Sequence, residues 1–286
     1  MPKISIVTDT DSSLPESVAS NYGILQVPIS IHFGEDGIEN DFSIDNKALF
    51  ARIDKEGRLP TTAAPTPGEF ADGFREAFEK DASNELVCFC ISSAMSATFE
   101  AAQIAARDIL PDRKITVVDT KTLSVAQGYM AIAAAEAATR GASLAEILMI
   151  ADSVRQRSFI YGALATLKYL SMSGRVSQIA AGMAGMLDIK PILSAQNGKL
   201  DLLEKVRTKK KAWERVIELT KNDASKSRIE KMAVLHVAAL DDAHEMEALL
   251  RANLECPAEI LIAELKAGLS VHTGSGLVGV GFVVQE

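Results

Sequence analysis

Three stretches of the chain place their residues in the same chemical order. KISIVTD is followed by SSLPESVASNYG, ELVCFCIS by SAMSATFEAAQIAARDI, and KITVVDT by KTLSVAQGYMAIAAAEAATR. Each opens with a short, nearly continuous apolar or β-branched run, ends that run in Asp, Ser or Thr, and continues with helical periodicity. A strand buried on one face only would alternate apolar and polar residues. Unbroken runs of this kind belong to strands covered on both faces, as in a parallel sheet flanked by helices. Residues 24–33 (ILQVPISIHF) predict one more strand. The first part of the chain, residues 1–153, therefore predicts an N-terminal α/β domain with a parallel sheet.

Residues 154–286 have a different rhythm. The pattern predicts a helix over 155–170, broken at SMSG, and a helix of small and flexible residues over 179–187 (IAAGMAGML). DIKPILS and KLDLLEKV flank Asn197-Gly198, a strong two-residue hairpin signal. RTKKKAWERVIELTKND predicts a helix, KMAVLHVAAL a strand leading into the helix DDAHEMEALLRANL, and EILIAELKAG and GLVGVGFVV predict closing strands. Hairpins together with crossovers indicate a mixed sheet. The expected architecture is α/β in two domains, 1–153 and 154–286.

Composition removes several function classes. The 286 residues are 48% hydrophobic, enough for a sizeable core, and carry a net charge of −8 with 5% aromatics. An acidic, aromatic-poor chain lacks the counterion-releasing surface and stacking platforms that nucleic acid needs, so no nucleic-acid partner is expected. Cys88, Cys90 and Cys256 make neither a CxxC pair nor a disulfide framework. On a strand, Cys88 and Cys90 share one face and read as buried small hydrophobes in a reducing compartment. MPKISIVTDT has no basic and apolar leader pattern, and no apolar run reaches the length of a membrane span. A cytoplasmic protein without stable membrane insertion is expected.

Candidate chemistry lies at the strand ends, where helix N-termini in an open α/β sheet point their N–H groups outward. Those ends carry residues 8–13 (TDTDSS), Ser92-Ser93 and Asp119-Thr120. Of the serine pair, one hydroxyl is expected to cap the following helix while the other faces an anionic ligand. The segment PTTAAPTP (60–67) is held extended by its prolines and offers Thr61 and Thr62. His272-Thr273-Gly274-Ser275-Gly276 brings a titratable donor beside glycines that permit close backbone approach, but it precedes a strand and so fails the dinucleotide fingerprint. Met183 and Met186, among small residues, could line an irregular apolar cavity; close helix packing is the plainer reading. Arg207, Lys209, Lys210 and Lys211 cluster at a helix start, against the macrodipole. The four histidines, His32, His236, His244 and His272, form no metal-ligand spacing, so neither metal nor cofactor is expected. There is no GxSxG elbow and no Walker loop.

Eight segments in order carry a resemblance that spans essentially the whole chain: VTDTDSSLP, PTTAAPTPGEF, ISSAMSATFEAA, VVDTKTLSVAQG, LKYLSMSGRVS, LDIKPIL, EKVRTKKKA and HTGSGLVGVG. Together they resemble the DegV family of bacterial fatty-acid-binding proteins. The resemblance implies a two-domain α/β protein that is a binding subunit rather than an enzyme. It would hold one long-chain fatty acid, with the carboxylate at the domain interface and the tail buried in the C-terminal domain. It also implies presentation of the acid to a separate ATP-dependent fatty acid kinase that forms an acyl phosphate. By position, Thr62, Ser93 and His272 would hold the carboxylate, and Met183 and Met186 would line the tail. Ser92, Arg175, Thr273 and Gly274 would take supporting or partner-facing roles. Ala63, Ala97, Ser173 and Ser275 depart from the family pattern. Two alternatives remain: a serine hydrolase of acyl esters with Ser93 as nucleophile and His272 as base, or a binder of another apolar carboxylate or phosphate.

Overall fold

The computed structural model describes residues 3–34, 37–173 and 189–286. In chain order its elements begin with β1 (Ile4–Asp9), a short 3-10 turn, α1 (Glu16–Asn21) and β2 (Leu25–Val27). There follow β3 (Ser30–His32), β4 (Ile38–Asn40), α2 (Asn46–Glu56) and β5 (Thr61–Ala63). Next come α3 (Pro67–Asp81), β6 (Glu85–Cys90), α4 (Thr98–Ile104), β7 (Lys114–Asp119), α5 (Ser124–Thr139) and α6 (Leu144–Gln156). The second half runs through β8 (Ser158–Ala163), α7 (Lys168–Met172), β9 (Lys190–Gln196), β10 (Lys199–Val206) and α8 (Lys209–Asp223). It closes with β11 (Ile229–His236), α9 (Leu240–Asn253), β12 (Leu261–Glu264), α10 (Ala267–Thr273) and β13 (Val278–Val284). The chain forms two compact units: Met1–Ser30, Ala63–Arg157 and Asn197–Lys199 in the first, Ile31–Thr62, Ser158–Gln196 and Leu200–Glu286 in the second.

The first unit is built on a four-stranded sheet in the order β2-β1-β6-β7, and every pairing in it is parallel. All six residues of β1 are buried, as its unbroken ISIVTD run requires of a strand covered on both faces. Val7, Leu86, Cys88 and Cys90 pack with Phe70, Phe74 and Phe78 of α3. That helix starts where Pro67 fixes the first turn and Thr66 and Glu69 close a reciprocal capping box. The stretch 24–33 is not one strand: Pro28 lacks the ladder N–H, and β2 and β3 lie on either side of it, in different sheets.

The second unit carries a six-stranded mixed sheet in the order β10-β9-β8-β13-β11-β12. β11 and β12 are parallel, whereas β13 pairs antiparallel with both β11 and β8. Asn197 (φ 51°) and Gly198 (φ 81°) connect β9 to β10, the double left-handed turn that an Asn-Gly pair favours. The expected helix over 155–170 is corrected here. α6 ends at Gln156, and SFIYGA is instead the central strand β8, paired antiparallel on both edges. Phe159 stacks on Phe282 of β13, so cross-strand packing decides this short apolar run in favour of strand. The core gathers Tyr161, Trp213, Val216, Met232, Met246 and Phe282. A three-stranded sheet, β4-β3-β5, lies in the segment that also contains α2.

Candidate functional site

In the first unit the strand ends hold a buried polar cluster. Residues Thr8 to Ser13 are all buried, as are Ser124 and Gln127 of α5. α5 comes this close because residue 128 is glycine: a Cβ there would lie 2.7 Å from Leu14 Cδ2 and 2.9 Å from the Ser12 carbonyl. Asp9, at the end of β1, accepts from the Ile91 amide (2.9 Å), the Asp11 amide (3.0 Å) and Gln127 Nε2 (3.0 Å). Burial pushes its carboxyl up from 3.8 to about 6, with those three donors pulling the other way. Asp9 thereby ties down the residue immediately before the serine pair.

Ser92 and Ser93 point to different tasks. Ser92 is buried; its hydroxyl donates to the Gly198 carbonyl at 2.8 Å and accepts from the Ala94 amide at 3.3 Å. Neither serine caps the next helix, which corrects the expectation. α4 begins only at Thr98, whose amide donates to Ser96 Oγ instead. Ser93 is exposed, and its hydroxyl donates to Asp119 Oδ2 at 2.6 Å while its amide donates to Asp119 Oδ1 at 3.2 Å. The Lys121 amide also donates to Oδ1, at 3.0 Å. Asp119, named from sequence only as a strand-end residue, is thus the hydrogen-bond partner of Ser93. The parallel register opposing Cys90 to Asp119 sets it beside the Ser92-Ser93 turn.

In the second unit, Thr62 of β5 and His272 in the last turn of α10 meet across 210 residues of sequence. Thr62 Oγ1 and His272 Nε2 share a hydrogen bond of 3.0 Å. When Nε2 carries the proton, the threonine hydrogen is left for a ligand; the tautomer decides. α10 stops at Gly274, whose φ of +86° suits glycine and whose amide donates back to the Ser270 carbonyl at 2.8 Å. A Cβ on Gly274 would lie 2.1 Å from Tyr169 Cδ2, so the close approach of this turn to the ring also requires glycine. Thr273 turns its hydroxyl back onto the Leu269 and Ser270 carbonyls. Buried Asn46 of α2, another residue outside the sequence reading, donates to the Leu265 carbonyl (2.7 Å) and accepts from Ser270 Oγ (2.5 Å). It moors α2 to the loop before α10 and to the middle of the helix that carries His272.

Arg175, Met183 and Met186 lie outside the described residues. The lysine cluster has local partners: Lys209 bonds Asp242 at 2.7 Å and lies over the Trp213 ring at 4.4 Å, and Thr208 caps α8. Cys88 and Cys90 are buried on one face of β6 with sulfurs 3.6 Å apart, and burial pushes the Cys90 thiol up. Among the described residues no group of three or more His, Cys, Asp or Glu side chains gathers as a metal site, and no helix is long and apolar enough to cross a membrane. A cavity of about 130 Å³ in the second unit is lined by Arg52, Glu56, Arg58 and Thr61. Apolar Phe33, Ile53, Leu59 and Pro60 also line it, but it falls short of the roughly 300–1,000 Å³ of ligand pockets and is too small for an alkyl tail.

Comparison with known proteins covers the entire length. A family model described as "Uncharacterised protein, DegV family" matches residues 3–285. A DegV domain-containing protein of Clostridium perfringens is 32% identical over 286 residues, covering 99% of this chain and 99% of that protein. A DegV family protein of Thermus thermophilus, whose structure is described as showing fatty acid binding, superposes with a TM-score of 0.88 at 30% identity, covering 100% of both chains. DegV of Bacillus subtilis, described as a fatty acid binding protein, superposes with a TM-score of 0.86 at 28% identity, again over 100% of both.

Proposed function

The chain belongs to the DegV family, and from that premise we propose that it binds a long-chain fatty acid, holding the carboxyl head group with Thr62, Ser93 and His272. The observation that carries the proposal is the Thr62–His272 hydrogen bond. Two polar side chains 210 positions apart in sequence converge at half-buried positions of one unit. Structural relatives at 30% and 28% identity are fatty acid binders, which supports the same ligand class here. Ser93 supplies a third, exposed hydroxyl on a turn moored by Asp9 and Asp119.

The energetics suit such a ligand. Burying roughly 14 methylenes at ~0.8 kcal/mol each offers ~11 kcal/mol before association costs, so the tail supplies affinity and the polar groups supply position. The segment holding Met183 and Met186 is proposed to line the tail. The bound acid is proposed to be presented to a separate fatty acid kinase, with Arg175, Ser92, Thr273 and Gly274 in supporting or partner-facing roles. In this reading the chain is a binding subunit and not itself a catalyst.

Organic extraction of the purified protein, mass spectrometry of the extract and titration of the stripped protein with palmitic acid test the proposal. Recovery of a stoichiometric acyl chain is expected. A protein that yields none and binds none on titration would overturn it. The hydrolase alternative lacks support in the local geometry, because the Ser93 hydroxyl is hydrogen-bonded to a carboxylate, Asp119. A fluorophosphonate probe is expected to leave Ser93 unlabelled.

A further inference from the structure

The hydroxyl of Ser93 has one proton, and the structure shows where it goes. It lies in a 2.6 Å hydrogen bond to Asp119 Oδ2, within the range of an O–H donor on an ionised carboxylate. The other carboxylate oxygen, Oδ1, takes two backbone amides, Ser93 N at 3.2 Å and Lys121 N at 3.0 Å. Asp119 thus accepts three hydrogen bonds from two successive strand-end turns, which fix its orientation. Ser93 remains exposed, with only its oxygen lone pairs left for a visitor. Buried Ser92 is already engaged by Gly198 and Ala94 and offers no alternative.

We propose that Asp119 sets the hydrogen-bond polarity of Ser93, so that this hydroxyl meets a bound head group as an acceptor and selects an oxygen or nitrogen that carries a hydrogen. A protonated carboxylic acid, a primary amide or an alcohol satisfies that requirement. An ester places lone pair against lone pair at this position. Asp119 is therefore a positioning and specificity-determining residue acting through Ser93. The inference rests on the reading that Ser93 touches an acyl head group.

Asp119→Asn tests this with little change of shape. Two backbone amides point at Oδ1, so the oxygen of the introduced amide must occupy that place and its NH2 must face Ser93. The bond then reverses: the introduced NH2 donates, Ser93 accepts, and the serine proton is released toward the ligand. The probes are palmitamide and methyl palmitate, both uncharged, so the lost negative charge of Asp119 does not decide the outcome. Wild-type protein is expected to favour the amide. D119N is expected to gain about tenfold for the ester relative to the amide, the scale of one hydrogen bond made instead of missed. In a Ser93→Ala background that gain is expected to vanish, since it runs through the serine. Thermal melts of all variants show whether the fold is retained. An unchanged ester-to-amide ratio in folded D119N, or a gain that persists without Ser93, would overturn the inference while leaving fatty acid binding standing. Failure of every variant to bind palmitic acid or either probe would overturn both.

Discussion

Asp9 offers the sharpest test of how this structure stores charge. Its side chain is wholly buried at the end of β1 and takes hydrogen bonds from Ile91 N, Asp11 N and Gln127 Nε2. Burial nevertheless dominates, raising the carboxyl from 3.8 to about 6. A folded-state value above the unfolded one means that the native protein holds this proton more tightly. The resulting stabilisation is fully present below about pH 4 and is lost as pH rises through about 6. The shift, 6 − 3.8 = 2.2 units, at about 1.36 kcal/mol per unit is worth about 3 kcal/mol. Asp9→Asn cannot titrate, so the stability difference between wild type and variant should slide by about 3 kcal/mol against the wild type between about pH 4 and pH 7. The absolute offset is not the readout, because the asparagine NH2 must face one of the three donors and costs stability at every pH. Urea unfolding at stepped pH gives the difference, and the side-chain carbonyl resonance of Asp9 gives its titration directly. A difference independent of pH, or one that grows with rising pH, would refute the assignment of burial as the dominant cause.

Three further outcomes are expected. Gly274→Ala forces a Cβ to within 2.1 Å of Tyr169 Cδ2 at a φ of +86°, and should cost about 2–4 kcal/mol in chemical denaturation; adding Tyr169→Ala should recover part of that loss, whereas strict additivity would mean that backbone strain alone is at work. Asn46→Ala removes two buried hydrogen bonds and leaves the Leu265 carbonyl and Ser270 hydroxyl without that partner, for about 2–3 kcal/mol by the same assay; a loss below about 0.5 kcal/mol would show that water replaces the amide. Thr62→Val keeps the side-chain shape but deletes the bond to His272, so palmitic acid affinity should fall about tenfold and the imidazole ¹⁵N resonances should shift, with an unmoved resonance counting against the pair.

Much of the architecture is legible because local chemistry and tertiary role agree. The three apolar runs that end in Asp, Ser or Thr are β1, β6 and β7, side by side and parallel. Asn197-Gly198 announces its own hairpin, since both residues accept positive φ at little cost. Helical periodicity fails over SFIYGA, where six residues preceded by Gln156 and Arg157 fit either template and the pairing with β9 and β13 decides. α10 is only seven residues long, too short for periodicity to reveal, so His272 reads from sequence as part of a loop when it is part of a helix end. The Thr62–His272 pair is beyond any local pattern, because a separation of 210 residues is closed only by the fold. The Ser93–Asp119 bond stands between these cases. Residues 26 apart are distant along the chain, yet once β6 and β7 are parallel neighbours the register brings their ends together. The turn after Cys90 and the last residue of β7 must then share one edge of the sheet. A strand-end serine and a strand-end aspartate in successive βα units are in that sense one feature, and the direction of the proton between them is what the sequence alone leaves for the structure to supply.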